Sequence, residues 1–76
     1  MNKTRRELLK LAINSLNNAE DYISTALDQE QDCLDNMPEN LEGSERYEKM
    51  QNAVDCLEEA VESIESAREN IETAAE

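Results

Sequence analysis

The feature that most constrains this chain is an alanine at every seventh residue in both of its halves. Ala12, Ala19 and Ala26 precede the only proline and the only glycine, and Ala53, Ala60, Ala67 and Ala74 follow them. If the chain folds back on itself, each early alanine meets a late one at residue numbers that sum to 79: Ala12 with Ala67, Ala19 with Ala60, Ala26 with Ala53. Because methyl groups let two helix axes approach to about 8 Å, the spacing predicts a tight antiparallel hairpin with an alanine-rich seam.

Boundary signals divide the 76 residues into two helices of one domain. Thr4 and Glu7 form a capping-box pattern, so we expect the first helix to cover about residues 5–36. Met37 precedes Pro38, a context that disfavours helical backbone. Residues 37–43 then form the turn, and Ser44 is the expected N-cap of a second helix over about residues 44–74.

The remaining apolar residues follow the same helical period on each side of the alanines. They form a face wider than one partner helix can cover: Leu9, Ile13, Leu16, Ile23 and Leu27, then Val54, Leu57, Val61, Ile64 and Ile71. We therefore predict an all-α fold, a two-helix antiparallel coiled-coil hairpin that self-associates into a four-helix bundle or larger oligomer, with a dimer favoured. A partner of different sequence could cover the same face.

Four side chains near the seam carry specific expectations. Glu30 interrupts the apolar stripe opposite Lys49, which predicts an ion pair across the hairpin. Leu41 is expected to fold back over the end of the core, and Tyr22 is expected to flank the core.

Composition excludes several classes of function. Nineteen acidic and seven basic residues give a net charge of -12, which repels nucleic acid and argues against direct binding to it. The longest apolar runs are too short for a membrane span or a signal peptide, so we expect a cytoplasmic protein. The two cysteines, with no histidine and no CxxC spacing, predict free thiols and neither a metal site nor a disulfide framework.

Catalytic motifs are absent from the sequence. Without histidine there is no Ser-His or Cys-His pair, and a single glycine cannot build a phosphate-binding loop. We expect no enzymatic activity and no cofactor.

The most site-like segment is the start of the second helix, where Arg46, Tyr47 and Lys49 follow the turn. Arginine and lysine could bind phosphate while the tyrosine ring stacks on a base. Tyr47 also continues the core spacing, so it can equally seal the end of the bundle.

The segments Pro38–Leu41 and Ser44–Met50, with the heptads that follow, resemble a group of small helical-hairpin proteins of Gram-positive bacteria and their phages and mobile elements. The resemblance implies an accessory protein of a phage or mobile element, in a context such as counter-defence against the host. It assigns no catalytic residue.

Three functions remain open from the sequence. The first is a non-enzymatic acidic interaction module that binds, and inhibits, a basic host protein. The second is an oligomeric sponge that sequesters a nucleotide-derived signal through Arg46, Tyr47 and Lys49. The third is a purely structural dimer.

Overall fold

A computed structural model, which describes residues 1–76, consists of two long helices that pack against each other along a rod of 59 × 15 × 13 Å. Helix α1 spans Lys3–Asp35, a 3-10 turn spans Glu39–Leu41, and helix α2 spans Glu45–Ala74. No strand is present. The predicted all-α helical hairpin is confirmed.

Helix α1 begins two residues earlier than the sequence predicts. Asn2, and not Thr4, is its N-cap, and the Asn2 Oδ1 accepts a hydrogen bond from the Arg5 backbone N–H at 2.9 Å. Asparagine caps helices at least as well as threonine, and this choice adds a further half-turn of helix. The predicted capping box is therefore wrong.

The connection between the helices is short and well capped. Helix α1 ends at Asp35, and the Ser44 hydroxyl accepts a hydrogen bond from the Tyr47 backbone N–H at 3.2 Å, which confirms Ser44 as the N-cap of α2. Gly43 has a positive φ of 81°, a conformation that glycine adopts without the steric cost of a side chain.

Leu41, which is expected to fold back over the end of the core, is 38% exposed within the 3-10 turn. Its backbone N–H donates a hydrogen bond to the Pro38 carbonyl at 2.9 Å. Met37, two residues after the end of α1, is half-buried. The contact of Leu41 with the end of the core stays a prediction.

The contact between the helices is a half-buried apolar stripe and not a closed core. Only Val54 is buried, with 4% of its surface exposed. The other large residues that the sequence assigned to the apolar face are half-buried: Leu9, Ile13, Leu16, Ile23, Leu27, Leu57, Val61, Ile64 and Ile71.

Five of the six predicted seam alanines are half-buried at this contact, namely Ala12, Ala19, Ala53, Ala60 and Ala67. Ala26 is exposed, so its assignment to the seam is wrong. A straight helix has 3.6 residues per turn, so a strict seven-residue repeat rotates by about 20° per heptad. By the third repeat of α1, this rotation has moved Ala26 out of the contact, and the neighbouring Leu27 is half-buried there.

The two helices are antiparallel, and contacts between them run along the rod. The Arg68 guanidinium reaches Asn17 and Glu20 across the hairpin. In the register that sums to 79, Arg68 would face Leu11. The long Arg68 side chain leans toward the N-terminus of α2, which is the turn end of the rod, so its contacts lie closer to the turn than its own backbone does. The register that sums to 79 therefore stays a prediction.

The predicted ion pair between Glu30 and Lys49 is wrong. The Lys49 ammonium instead lies 3.4 Å from Glu45, one turn earlier on its own helix. Residues four apart on one helix face each other, so Lys49 finds this partner without crossing the hairpin.

Candidate functional site

The predicted ligand-binding residues lie in the first two turns of α2 and do not all face one side of the helix. Arg46 is exposed and has no ion partner, whereas Tyr47 is half-buried. Lys49 is paired with Glu45, and the two side chains are 76% and 83% exposed. Successive helical residues point about 100° apart, so Arg46 and Tyr47 project in different directions. The segment has the geometry of a helix start and shows no enclosed ligand pocket.

The one concave region of the surface lies elsewhere, along the middle of α2. Its lining consists of Glu59, Glu62, Ser63, Ser66, Ala67 and Asn70. Small side chains at Ser63, Ser66 and Ala67 create a shallow groove, and the two glutamates make it acidic. A groove lined by carboxylates and no cation is poorly suited to a phosphorylated ligand.

A polar cluster across the two helices was missed by sequence reasoning. The Arg68 guanidinium donates to Asn17 Oδ1 at 2.9 Å and to Glu20 Oε1 at 3.2 Å. The Arg68 and Glu20 side chains are 25% and 22% exposed. The second carboxylate oxygen of Glu20 is buried and has no hydrogen-bond partner.

The heptad pattern did contain a signal for this cluster. Arg68 occupies the heptad position of Val54 and Val61, and Glu20 occupies the position of Ile13. A charge at a position that is otherwise apolar requires a partner when the helices pack. A search for the anion that Arg68 contacts would have found Glu20.

Most carboxylates of the chain have no cationic partner. The structure contains two ion pairs, Lys49 with Glu45 and Arg68 with Glu20. Along the outer side of α2 the exposed carboxylates form one continuous surface, here called the acidic face: Asp55, Glu58, Glu59, Glu62, Glu65, Glu69 and Glu72.

Three large apolar side chains of α1 are exposed on a different side of the rod. Leu8 is 60% exposed, Leu11 is 63% exposed and Tyr22 is 79% exposed. The expectation that Tyr22 flanks the core is wrong, because the half-buried stripe passes through Ile23 and leaves Tyr22 about 100° away from it.

Comparison of the chain with models of protein families, with curated proteins and with solved structures finds no match. Neither helix combines the length and the apolar character needed to cross a membrane. No three potential metal ligands are grouped, and Cys33 and Cys56 are free and exposed. The surfaces of the hairpin are therefore the features from which a function can be inferred.

Proposed function

We propose that this protein is a non-enzymatic interaction module, whose acidic face binds a cationic surface of a protein partner. The observation that carries the proposal is the uncompensated charge of that face. None of its seven carboxylates forms an ion pair within the chain. Like charges on one face repel each other, and a basic partner would relieve that repulsion and be steered toward the face.

The spacing of these charges suggests the kind of partner. Asp55 and Glu72 lie about 26 Å apart along the helix axis, so the acidic face carries a carboxylate about every 4 Å. Phosphates along one nucleic acid strand are about 3.4 Å apart. A rigid acidic helix with this spacing can occupy a cationic groove that normally holds nucleic acid, and its binding would inhibit that protein.

The resemblance of the Pro38–Met50 region to proteins of phages and mobile elements supplies the biological context of the proposal. The partner would be a host protein that handles nucleic acid, and counter-defence would be the setting. Sequestration of a nucleotide at Arg46, Tyr47 and Lys49 has weaker support, because Lys49 is paired with Glu45 and the three side chains do not converge. A purely structural dimer would leave the acidic face without a role.

The test is affinity capture from a Gram-positive bacterial lysate, followed by binding measurements on the purified complex. The informative variant neutralises three residues of the acidic face, Glu58→Gln, Glu62→Gln and Glu65→Gln. We expect it to lose the captured protein, and we expect the affinity of the native chain to fall steeply with added salt.

A matched control makes the same change in net charge on α1, with Asp21→Asn, Asp28→Asn and Asp32→Asn, all at exposed positions. This control should retain binding, because the proposal concerns one face and not total charge. Equal binding by both triple variants, or an affinity that does not change with salt, would refute it.

A further inference from the structure

The two sides of the helix contact differ in chemistry. Arg68, Asn17 and Glu20 meet on one side of the seam. On each helix the apolar stripe has one edge at this polar cluster and one edge away from it. The helical repeat places the half-buried alanines at the edge away from the cluster: Ala12 and Ala19 on α1, Ala60 and Ala67 on α2. The alanines of both helices therefore share the side opposite the polar cluster.

The surface that continues outward from these alanines carries no charge along most of its length. We call it the neutral face. On α1 it consists of Leu8, Leu11, Ser15, Tyr22 and Ala26. On α2 it continues through Cys56, Ser63, Asn70 and Ala74. All nine residues are exposed, in a chain in which 34% of residues are charged.

The hairpin also exposes more surface than a compact monomer of its size. Its accessible surface is 5714 Å², whereas a folded monomer of 8.7 kDa is expected to expose about 4,700 Å². The difference of about 1,000 Å² is close to the roughly 800 Å² that each partner buries in a standard interface. A second hairpin of the same length would cover a surface of this extent.

We propose that the neutral face is covered by a second copy of this chain, and that the two hairpins form a four-helix bundle with the alanines near its centre. This proposal is independent of the partner that the acidic face binds. The alanine edges allow the second pair of helices to approach closely, while the acidic face stays in solvent.

Charge decides how the two copies are oriented. Helix α1 has a formal charge of -3 and helix α2 a formal charge of -6. If α1 of one copy lies over α2 of its partner, the two strongly acidic helices occupy diagonal corners and repel each other least. The basic residues Lys3, Arg6 and Lys10 then lie at the same end as Glu69 and Glu72 of the partner subunit, which carry the opposite charge.

This orientation also gives Tyr22 a place to bind on the partner. Arg68 reaches Asn17 and Glu20 with a side chain that leans toward the turn, so the groove lies at the level of those residues or further from the turn, and Ser63 is at its end nearer Tyr22. The Tyr22 side chain leans toward the N-terminus of α1, which brings its ring toward the Ser63 end of the groove in the partner. The ring would contact the edge formed by Ser63, Ala67 and Asn70, and the edge with Glu59 and Glu62 would stay in solvent. A rigid aromatic side chain packed against small residues is a typical interface anchor.

The experiment measures molar mass by sedimentation equilibrium for the native chain and for two single variants, Leu11→Glu and Tyr22→Glu. The native chain should have twice the 8.7 kDa mass of one chain. Each variant should raise the dimer Kd by about thirtyfold, as expected for loss of an anchor residue. The matched control is Asn14→Glu, an exposed site of α1 outside the neutral face and about 80° around the helix from Tyr22, which should leave the mass unchanged.

A cross-linking measurement tests the same contact without the charged variants Leu11→Glu and Tyr22→Glu, so it does not depend on how well those variants fold. In chains whose native cysteines are replaced by serine, Tyr22→Cys and Ser63→Cys are made separately. Oxidation of the two chains together should give a mixed disulfide-linked dimer, while each chain alone should cross-link far less. Any one of three results would overturn the proposal. The native chain could sediment as a monomer, Asn14→Glu could dissociate the dimer as much as Tyr22→Glu does, or oxidation could show no preference for the mixed disulfide-linked dimer.

Discussion

The interhelical cluster of Arg68, Asn17 and Glu20 allows a quantitative test of what holds the two helices in register. Replacing Arg68 by methionine removes the cation but keeps a long apolar side chain. Glu20 then remains three-quarters buried without its partner, and one of its oxygens already lacks a hydrogen bond. We expect the Arg68→Met variant to be clearly less stable than the native chain.

The magnitude follows from the geometry of the pair. At the observed separation of 3.2 Å, two unit charges attract by about 5 kcal/mol at an effective dielectric constant of about 20. Desolvation and the residual exposure of both side chains offset most of that attraction. We therefore expect a net loss of about 1.5 kcal/mol in the free energy of unfolding.

The assay is urea denaturation followed by far-ultraviolet circular dichroism, at one protein concentration for all variants. Glu20→Leu alone should also destabilise, whereas the double variant Glu20→Leu with Arg68→Met should recover most of the loss, because both positions then match their apolar heptad neighbours. Lys49→Met, which breaks the exposed pair with Glu45, is the control and should cost at most about 0.5 kcal/mol. The reasoning would be refuted if the losses in the free energy of unfolding were additive in the double variant. It would also be refuted if Arg68→Met lost no more of that free energy than Lys49→Met does.

Three further changes probe the turn and the seam, each by thermal unfolding. Ser44→Ala removes the hydroxyl that accepts from the Tyr47 backbone and should cost about 1 kcal/mol; an unchanged transition would mean that α2 is not capped there. Gly43→Ala should cost about 1 kcal/mol, because its φ of 81° strains any side chain although space for a methyl group is open. Ala19→Leu should overpack the half-buried seam and lose about 1 to 3 kcal/mol. The same change at exposed Ala26 should alter stability by less than about 0.5 kcal/mol, and equal losses at both sites would contradict the exclusion of Ala26 from the seam.

The architecture could be predicted because many independent signals agree on it. Heptad alanines, a central proline and glycine, and the Ser44 cap all favour two helices joined by one turn, and each signal depends only on nearby residues. The alanines alone do not determine the register. A methyl group packs almost equally well against several facing positions, so alanine pairs discriminate weakly between registers.

An interaction between the helices that the alanines do not predict is that of Arg68 with Glu20, which are 48 residues apart in the chain. Their pairing is a tertiary contact, and only a comparison of the polar interruptions in both apolar stripes would have revealed it. The predicted site at Arg46, Tyr47 and Lys49 has a similar limitation. Proximity in sequence does not make side chains on a helix converge, because neighbours point in different directions.

The scarcity of ion pairs has a consequence for how the protein responds to its ionic surroundings. Two pairs are formed by a chain with nineteen acidic residues, so the folded rod is held against its own electrostatic repulsion. Dissolved potassium or sodium screens that repulsion and should raise the melting temperature. The same ions should weaken binding to the basic partner that we propose for the acidic face, so added salt should act on the fold and on that binding in opposite directions.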